Sequence, residues 1–292
     1  MLKGILKSMR PHQWVKNGFV LAPLVFAQEL DNPPQIVRSL AAFLLFCAVS
    51  SAVYLMNDCF DVEKDRAHPV KRFRPIPAGI VPVHVARNVS IGLALSAVGC
   101  GFVLAWPFGL ATLIYLVVNF AYSTVLKHVA YIDVLVIAFG FLVRVVSGGL
   151  AIDVAISNWL LACTFLVSLY LAMGKRRHEL ANGGVEAIQR RKVLQRYNPA
   201  HLHVGMVLGA LLTTAAYTAY ATSEHARALF GTQWFPVTIP FIIVGMVRFY
   251  RLTGEHDDAT SPTERMVRDP TFLVNLLAWC MLVLVLIYGG NG

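Results

Sequence analysis

The sequence predicts an all-α integral membrane protein: a bundle of nine transmembrane helices forming one domain, 1–292, with a polar cavity that faces the cytoplasm. Three observations lead there. First, 57% of the 292 residues are apolar and only 14% charged, with a mean hydropathy of +0.62. A water-soluble domain of this length needs far more charge to cover its surface. Second, apolar runs of membrane-crossing length recur along the whole chain, and none alternates at the period of a strand. In lipid the backbone must satisfy its own hydrogen bonds, so such runs are helices. Third, Lys and Arg gather in alternate connections between those runs. The formal charge of +9 is therefore the mark of membrane topology, and no nucleic-acid partner is expected. Cys47, Cys59, Cys100, Cys163 and Cys280 are scattered without a C-x-x-C pair, which excludes a disulfide framework and a zinc site.

A spanning helix needs about 20 residues, because the hydrocarbon core is about 30 Å thick and each residue rises about 1.5 Å. The nine candidates are approximately 12–30, 35–58, 82–105, 108–126, 131–152, 156–174, 200–222, 234–252 and 270–288. The first is the shortest in apolar content, and Pro23 must kink it. Its basic start has the look of a signal peptide. Trp14, Lys16 and Asn17 directly before the apolar run, and Pro23 within it, favour an amphipathic membrane-surface entry into a first spanning helix instead.

With nine helices, the N-terminus and the even connections share one side. Those segments and their bordering helix ends carry every Lys and Arg except Arg38, Arg144 and Arg227. By the positive-inside rule that side is cytoplasmic. Three of its segments, about 57–81, 175–199 and 253–269, are too polar to be mere connectors and are expected to form the active-site loops. The last contains Ser261–Pro262–Thr263–Glu264, a capping box with Pro at the first helical position, which predicts a short surface helix stopped before Pro270.

The end of the second helix raises the chemical question. "NDCFDVEKDRAHPVKRFRPIPAG", residues 57–79, sets four acidic against five basic side chains. If the helix continues, Asp58, Asp61 and Asp65 share one face. Three carboxylates at a helix C-terminus oppose the dipole, so a cation should offset them. Mg²⁺ is the natural candidate, with Mn²⁺ the alternative, because such ions commonly bridge carboxylates to a substrate diphosphate. The competing expectation is a solvated loop in which the acids pair with Lys64, Arg66, Lys71 and Arg72.

N-D-x-x-D-x-x-x-D at this place resembles the UbiA superfamily of intramembrane prenyltransferases, over the whole chain. The resemblance implies that Asn57, Asp58, Asp61 and Asp65 bind a diphosphate through Mg²⁺, Asn57, Asp58 and Asp61 with a catalytic role. "RPHQWVKN", the 57–79 stretch, "YSTVLKH" and "KRRHEL" are similar to one bacterial branch, the decaprenyl-phosphate phosphoribosyltransferases. That likeness implies transfer of 5-phosphoribose from phosphoribosyl diphosphate to a polyprenyl phosphate for cell-envelope precursors, in the bacterial inner membrane with the active site on the cytoplasmic side.

Members that prenylate aromatic acceptors carry a second aspartate motif after helix 6. Here that place reads "YLAMGKRRHEL", with Lys175, Arg176 and Arg177 where acids would stand and only Glu179 left. A sugar diphosphate meeting a lipid phosphate has more anionic groups to neutralise than a prenyl diphosphate meeting a phenol. Lys16, Lys71, Arg72, Arg74, Lys127, Lys175 and Arg176 are the expected phosphate ligands. Tyr122 could hydrogen-bond a phosphate or anchor at the interface, and His178, Arg268 and Asp269 are weaker candidates. Arg144 falls mid-helix, where a charge costs about 2.5–3.5 kcal/mol on insertion scales. It should face the interior, holding a phosphate or supporting the site; Asp133, on the same helix, is too far along it to pair directly.

The expected chemistry is displacement at the anomeric carbon. The nucleophile is already an anion, so no general base is required. The alternatives are an ordinary prenyl transfer to an aromatic acceptor, which would need the missing second carboxylate pair, and a transporter, for which paired discontinuous helices are lacking. Apolar helix faces could support a homo-oligomer.

Overall fold

The computed structural model describes residues 1–190, 192–254 and 262–289. Every regular element among them is helical. A short α1 (Leu2–Ser8) leads into a 3-10 helix, Pro11–Leu21, and α2 (Ala22–Phe26). The long helices follow: α3 (Pro33–Phe60), α5 (Val83–Leu104), α6 (Trp106–Thr124), α7 (Ile132–Ile152), α8 (Asn158–Arg190), α9 (Pro199–Thr222), α11 (Ile239–Gly254) and α13 (Pro270–Tyr288). Between them lie the short α4 (Val62–Arg66), α10 (Glu224–Phe230) and α12 (Pro262–Met266).

Eight of these helices, among the described residues, are long and apolar enough to cross a membrane. Their exposed faces carry Leu95, Val103, Leu277 and Met281 outward, which suits lipid and not water. The protein is multi-pass. Two expectations change. The first candidate span, 12–30, is not one kinked helix but an eleven-residue 3-10 helix followed by five residues of α-helix. Pro23 does not interrupt anything, since it sits in the first turn of α2, where a missing N–H costs nothing. The expected loop 175–199 is helix as far as Arg190, because its Lys, Arg, Glu, Leu and Ala residues are good helix formers that let α8 outrun the bilayer. The short helix before Pro270 is present as α12, whereas Ser261 and the Glu264 side chain of its capping box lie outside the described residues.

The chain divides into two compact units. The first comprises residues 1–124 and 143–156, the second 125–142 and 157–292. In the first, Phe46 packs against Phe108 and Tyr115 at ring-centroid distances of 5.9 and 5.3 Å, within a core that includes Val20, Leu24 and Val49. The 3-10 helix lies tightly on the second half of α7: a Cβ at Gly148 would stand 2.0 Å from the Val20 carbonyl oxygen. The second unit has cores around Tyr170, Met206 and Phe249, and around Val134, Leu194 and Tyr197.

Candidate active site

α3 ends where its sequence turns polar. Asp61 leaves the helical region (φ −94°, ψ 11°) and serves both as the last cap of α3 and the first of α4. The Asp65 amide still bonds the Asp61 carbonyl at 2.7 Å, so the chain turns with little offset and Asp58 and Asp65 stay on one side. The return loop is pinned by Ile76 and Val81, which bury themselves with Leu55 and Ala86, and by the His68 Nδ1, which accepts from the amides of Val70 and Lys71 at 3.1 and 3.2 Å. This places Arg74 and Lys71 back over the end of α3.

The outcome is a compact charged cluster. One Arg74 terminal nitrogen lies 3.2 Å from Asp58 Oδ1 and 2.8 Å from Asp65 Oδ2. Arg10 reaches the same Asp58 oxygen at 2.6 Å, and Lys71 Nζ stands 3.8 Å from Asp65 Oδ1. Both carboxylates are 3% exposed, whereas Arg10, Arg74 and Lys71 are 25%, 33% and 42% exposed. Burying two carboxylates costs several kcal/mol each unless partners answer them. Three cations do so here. Lys71 has its pKa drawn below the usual lysine value by burial, with Asp65 pulling the other way.

Arg10 was not singled out in the sequence. It sits between α1 and the 3-10 helix with φ 55° and ψ 62°, a left-handed backbone uncommon outside glycine. Its neighbours are tied to α3: the Ser51 hydroxyl lies 3.2 Å from the Met9 carbonyl, and the Trp14 indole donates to that hydroxyl at 3.0 Å. Its guanidinium also lies 5.0 Å from the centre of the Tyr54 ring. The one trace in the sequence was its place as the first residue of the "RPHQWVKN" stretch; the contact with Asp58 spans 48 positions.

The other expected residues divide. Asp61 is half-buried at the junction, and the pair converging on one cation is Asp58 with Asp65. Asn57 lines a separate apolar groove of 330 Å³ in the same unit, with Met56, Phe60, Leu95 and Phe120. Arg72 is exposed, and its guanidinium lies 4.8 Å from the centre of the Phe73 ring. Lys16 is half-buried on the 3-10 helix, and Tyr122 is half-buried in the last turn of α6. Arg144, expected to hold a phosphate or to support the site, makes hydrogen bonds of the supporting kind. It donates to Asn17 Oδ1 at 2.9 Å and to the Tyr115 hydroxyl at 2.8 Å, while Asn17 donates to Ser50 at 3.1 Å. A mid-membrane guanidinium is thus satisfied by fastening the 3-10 helix, α3 and α6 to α7.

In the second unit, Lys127 and Lys175 are half-buried, on the turn Leu126–His128 and on α8. Arg176 is a correction. It is 1% exposed and ion-paired with Asp133, itself 0% exposed, at 2.8 Å, and it also contacts Glu179. Tyr197 donates to the same Asp133, and burial, with that carboxylate, raises the tyrosine's pKa. Arg177 likewise donates to Thr253 at 2.7 Å. Asp269 pairs with Arg248 at 2.6 Å and caps α13 through the Phe272 amide.

Among the described residues no three His, Cys, Asp or Glu side chains form a ready-made metal cage. The donor set nonetheless fits a hard divalent ion, because two carboxylates converge on a single cationic nitrogen.

Residues 18–266 match the model of the UbiA prenyltransferase family. The chain belongs to that family. The chain is 34% identical to the decaprenyl-phosphate phosphoribosyltransferase of Mycolicibacterium smegmatis, over 96% of this chain and 91% of that protein. The Mycobacterium tuberculosis protein of the same name is also 34% identical, covering 96% and 92%. Among solved structures, a UbiA homolog from Archaeoglobus fulgidus bound to GPP and Mg²⁺ shares the fold with a TM-score of 0.71 over 96% of this chain and 99% of that one, at 15% identity. This UbiA family member is a transferase.

Proposed function

We propose that this UbiA family member transfers 5-phosphoribose from phosphoribosyl diphosphate to a polyprenyl phosphate, releasing diphosphate, on the cytoplasmic side of a bacterial inner membrane. The observation that carries the reading is the cluster of Asp58 and Asp65 with three cations at the end of a spanning helix. The similarity along nearly the full chain to enzymes named for this reaction supports it.

Asp58 and Asp65, with Asp61 and Asn57 beside them, would hold Mg²⁺, with Mn²⁺ as an alternative. Bound there, the ion offsets charge on the leaving diphosphate. Arg74 grips phosphate oxygens through its planar fork and Lys71 acts as a point charge. No residue need remove a proton from a phosphate nucleophile, so catalysis rests on positioning and charge stabilisation. The apolar groove beside Asn57 suits the first part of a polyprenyl chain.

The test supplies purified protein with Mg²⁺, polyprenyl phosphate and phosphoribosyl diphosphate labelled in the ribose. Label should pass to the organic phase. Failure of that transfer, together with prenylation of a small acceptor from a prenyl diphosphate, would replace this reading with ordinary prenyl transfer.

A further inference from the structure

We propose that Arg10 is an exchangeable countercation: it neutralises Asp58 while the metal is away and moves to the donor's diphosphate when the metal arrives. The inference rests on the diphosphate-binding reading of the same cluster, and it assigns a role to a residue outside the aspartate motif and its loop.

Charge counting is the first argument. Asp58 and Asp65 bring two negative charges; Arg10, Arg74 and Lys71 bring three positive ones. A divalent ion on the two carboxylates satisfies them completely. The three cations are then released at the moment when a diphosphate, with about three negative charges, comes to lie beside the metal. The same residues leave one positive charge in excess while the metal is away and come into balance when metal and diphosphate are both present.

Geometry says which cation moves. Arg74 touches both carboxylates and its loop is pinned by buried Ile76 and Val81. Arg10 touches Asp58 alone, at 2.6 Å and through one terminal nitrogen. Its guanidinium is a quarter exposed, and the Tyr54 face lies 5.0 Å from it, so the ring can keep the cation in place when the carboxylate turns to a metal. A metal ligand needs its carboxylate oxygen at about 2.0–2.1 Å from Mg²⁺. An arginine nitrogen at hydrogen-bond distance on that oxygen therefore competes with it. The left-handed backbone at Arg10 points the same way, since a strained non-glycine conformation persists where its surroundings hold it for a purpose.

The experiment uses the full chain in nanodiscs, with Arg10→Gln, Arg10→Lys and the control Lys3→Gln, which alters an exposed cation on α1. Mn²⁺ binding is followed by electron paramagnetic resonance without donor. Binding of inorganic diphosphate and of phosphoribosyl diphosphate is then measured at saturating Mn²⁺. Arg10→Gln should bind Mn²⁺ several-fold tighter and diphosphate about ten-fold weaker, the loss expected for one charge-assisted contact. Arg10→Lys should fall between it and the wild type, and Lys3→Gln should match the wild type. Mn²⁺ affinity that is unchanged or weaker in Arg10→Gln overturns the proposal, as does unchanged diphosphate affinity or an absence of Mn²⁺ binding in every variant. If inorganic diphosphate shows the pattern while phosphoribosyl diphosphate does not bind, the exchange stands and the donor assignment fails.

Discussion

Two buried charge clusters, one in each unit, use the same side chains for opposite purposes. At the end of α3, the carboxylates of Asp58 and Asp65 are covered but their cations remain partly exposed. On α8, both Arg176 and its partner Asp133 are sealed from solvent, and Glu179 and Tyr197 complete the arrangement. An ion pair whose cation can reach water can exchange partners at low cost. One in which both ions are buried cannot, because breaking it strands a charge. The first cluster is built for ligand exchange, the second for holding helices.

The largest contrast should come from the carboxylates themselves. Asp58→Asn is expected to lower phosphoribosyl transfer by at least about 100-fold, a loss of about 2.7 kcal/mol in transition-state stabilisation, while thermal unfolding changes little because the exposed arginines regain water. Asp133→Asn should do the reverse. Stripping Arg176 of its carboxylate should cost about 3–5 kcal/mol of stability, read as an earlier melting transition in detergent, with activity per folded molecule largely kept. If Asp58→Asn unfolds the protein and Asp133→Asn abolishes transfer without unfolding it, the two assignments are exchanged.

A smaller effect belongs to Arg144. Arg144→Leu leaves Asn17 and Tyr115 without their donor and should cost about 1–3 kcal/mol of stability, loosening the segment that carries Arg10. The expected signature is faster proteolysis of the N-terminal segment, with the dissociation constant for phosphoribosyl diphosphate raised. The smallest effect is at Asp269, whose carboxyl is held below the ordinary value by hydrogen bonds from Arg248. A carboxyl with a lowered folded pKa contributes stability that is fully present above its unfolded value, about 3.9, and lost as pH falls through the folded one. The melting difference between wild type and Arg248→Gln should therefore be present at pH 7 and shrink progressively in acid below that value.

The contrast also explains what could be read from the sequence. Eight spanning helices were legible because bilayer thickness imposes a length on every apolar run, and the ends at 270–288 coincide with α13. The extension of α8 was not, since a polar stretch says that the membrane has ended and not that the helix has. The spacing of Asp58 and Asp65 was visible as a helix face. The partnership of Asp58 with Arg10 was not, because a separation of 48 positions leaves no periodic trace. Arg176 misled because an exposed phosphate ligand and a buried strut look alike in a one-dimensional charge pattern. Only the fully buried Asp133 tells them apart.

The most direct measurement compares ribose label transfer to polyprenyl phosphate by wild type, Asp58→Asn and Asp65→Asn, each first shown to melt as a folded protein. Label should enter the lipid with wild type, disappear with a divalent-ion chelator, and be nearly absent with either variant. Transfer by folded Asp58→Asn at the wild-type rate would contradict the assignment of this cluster as the catalytic centre.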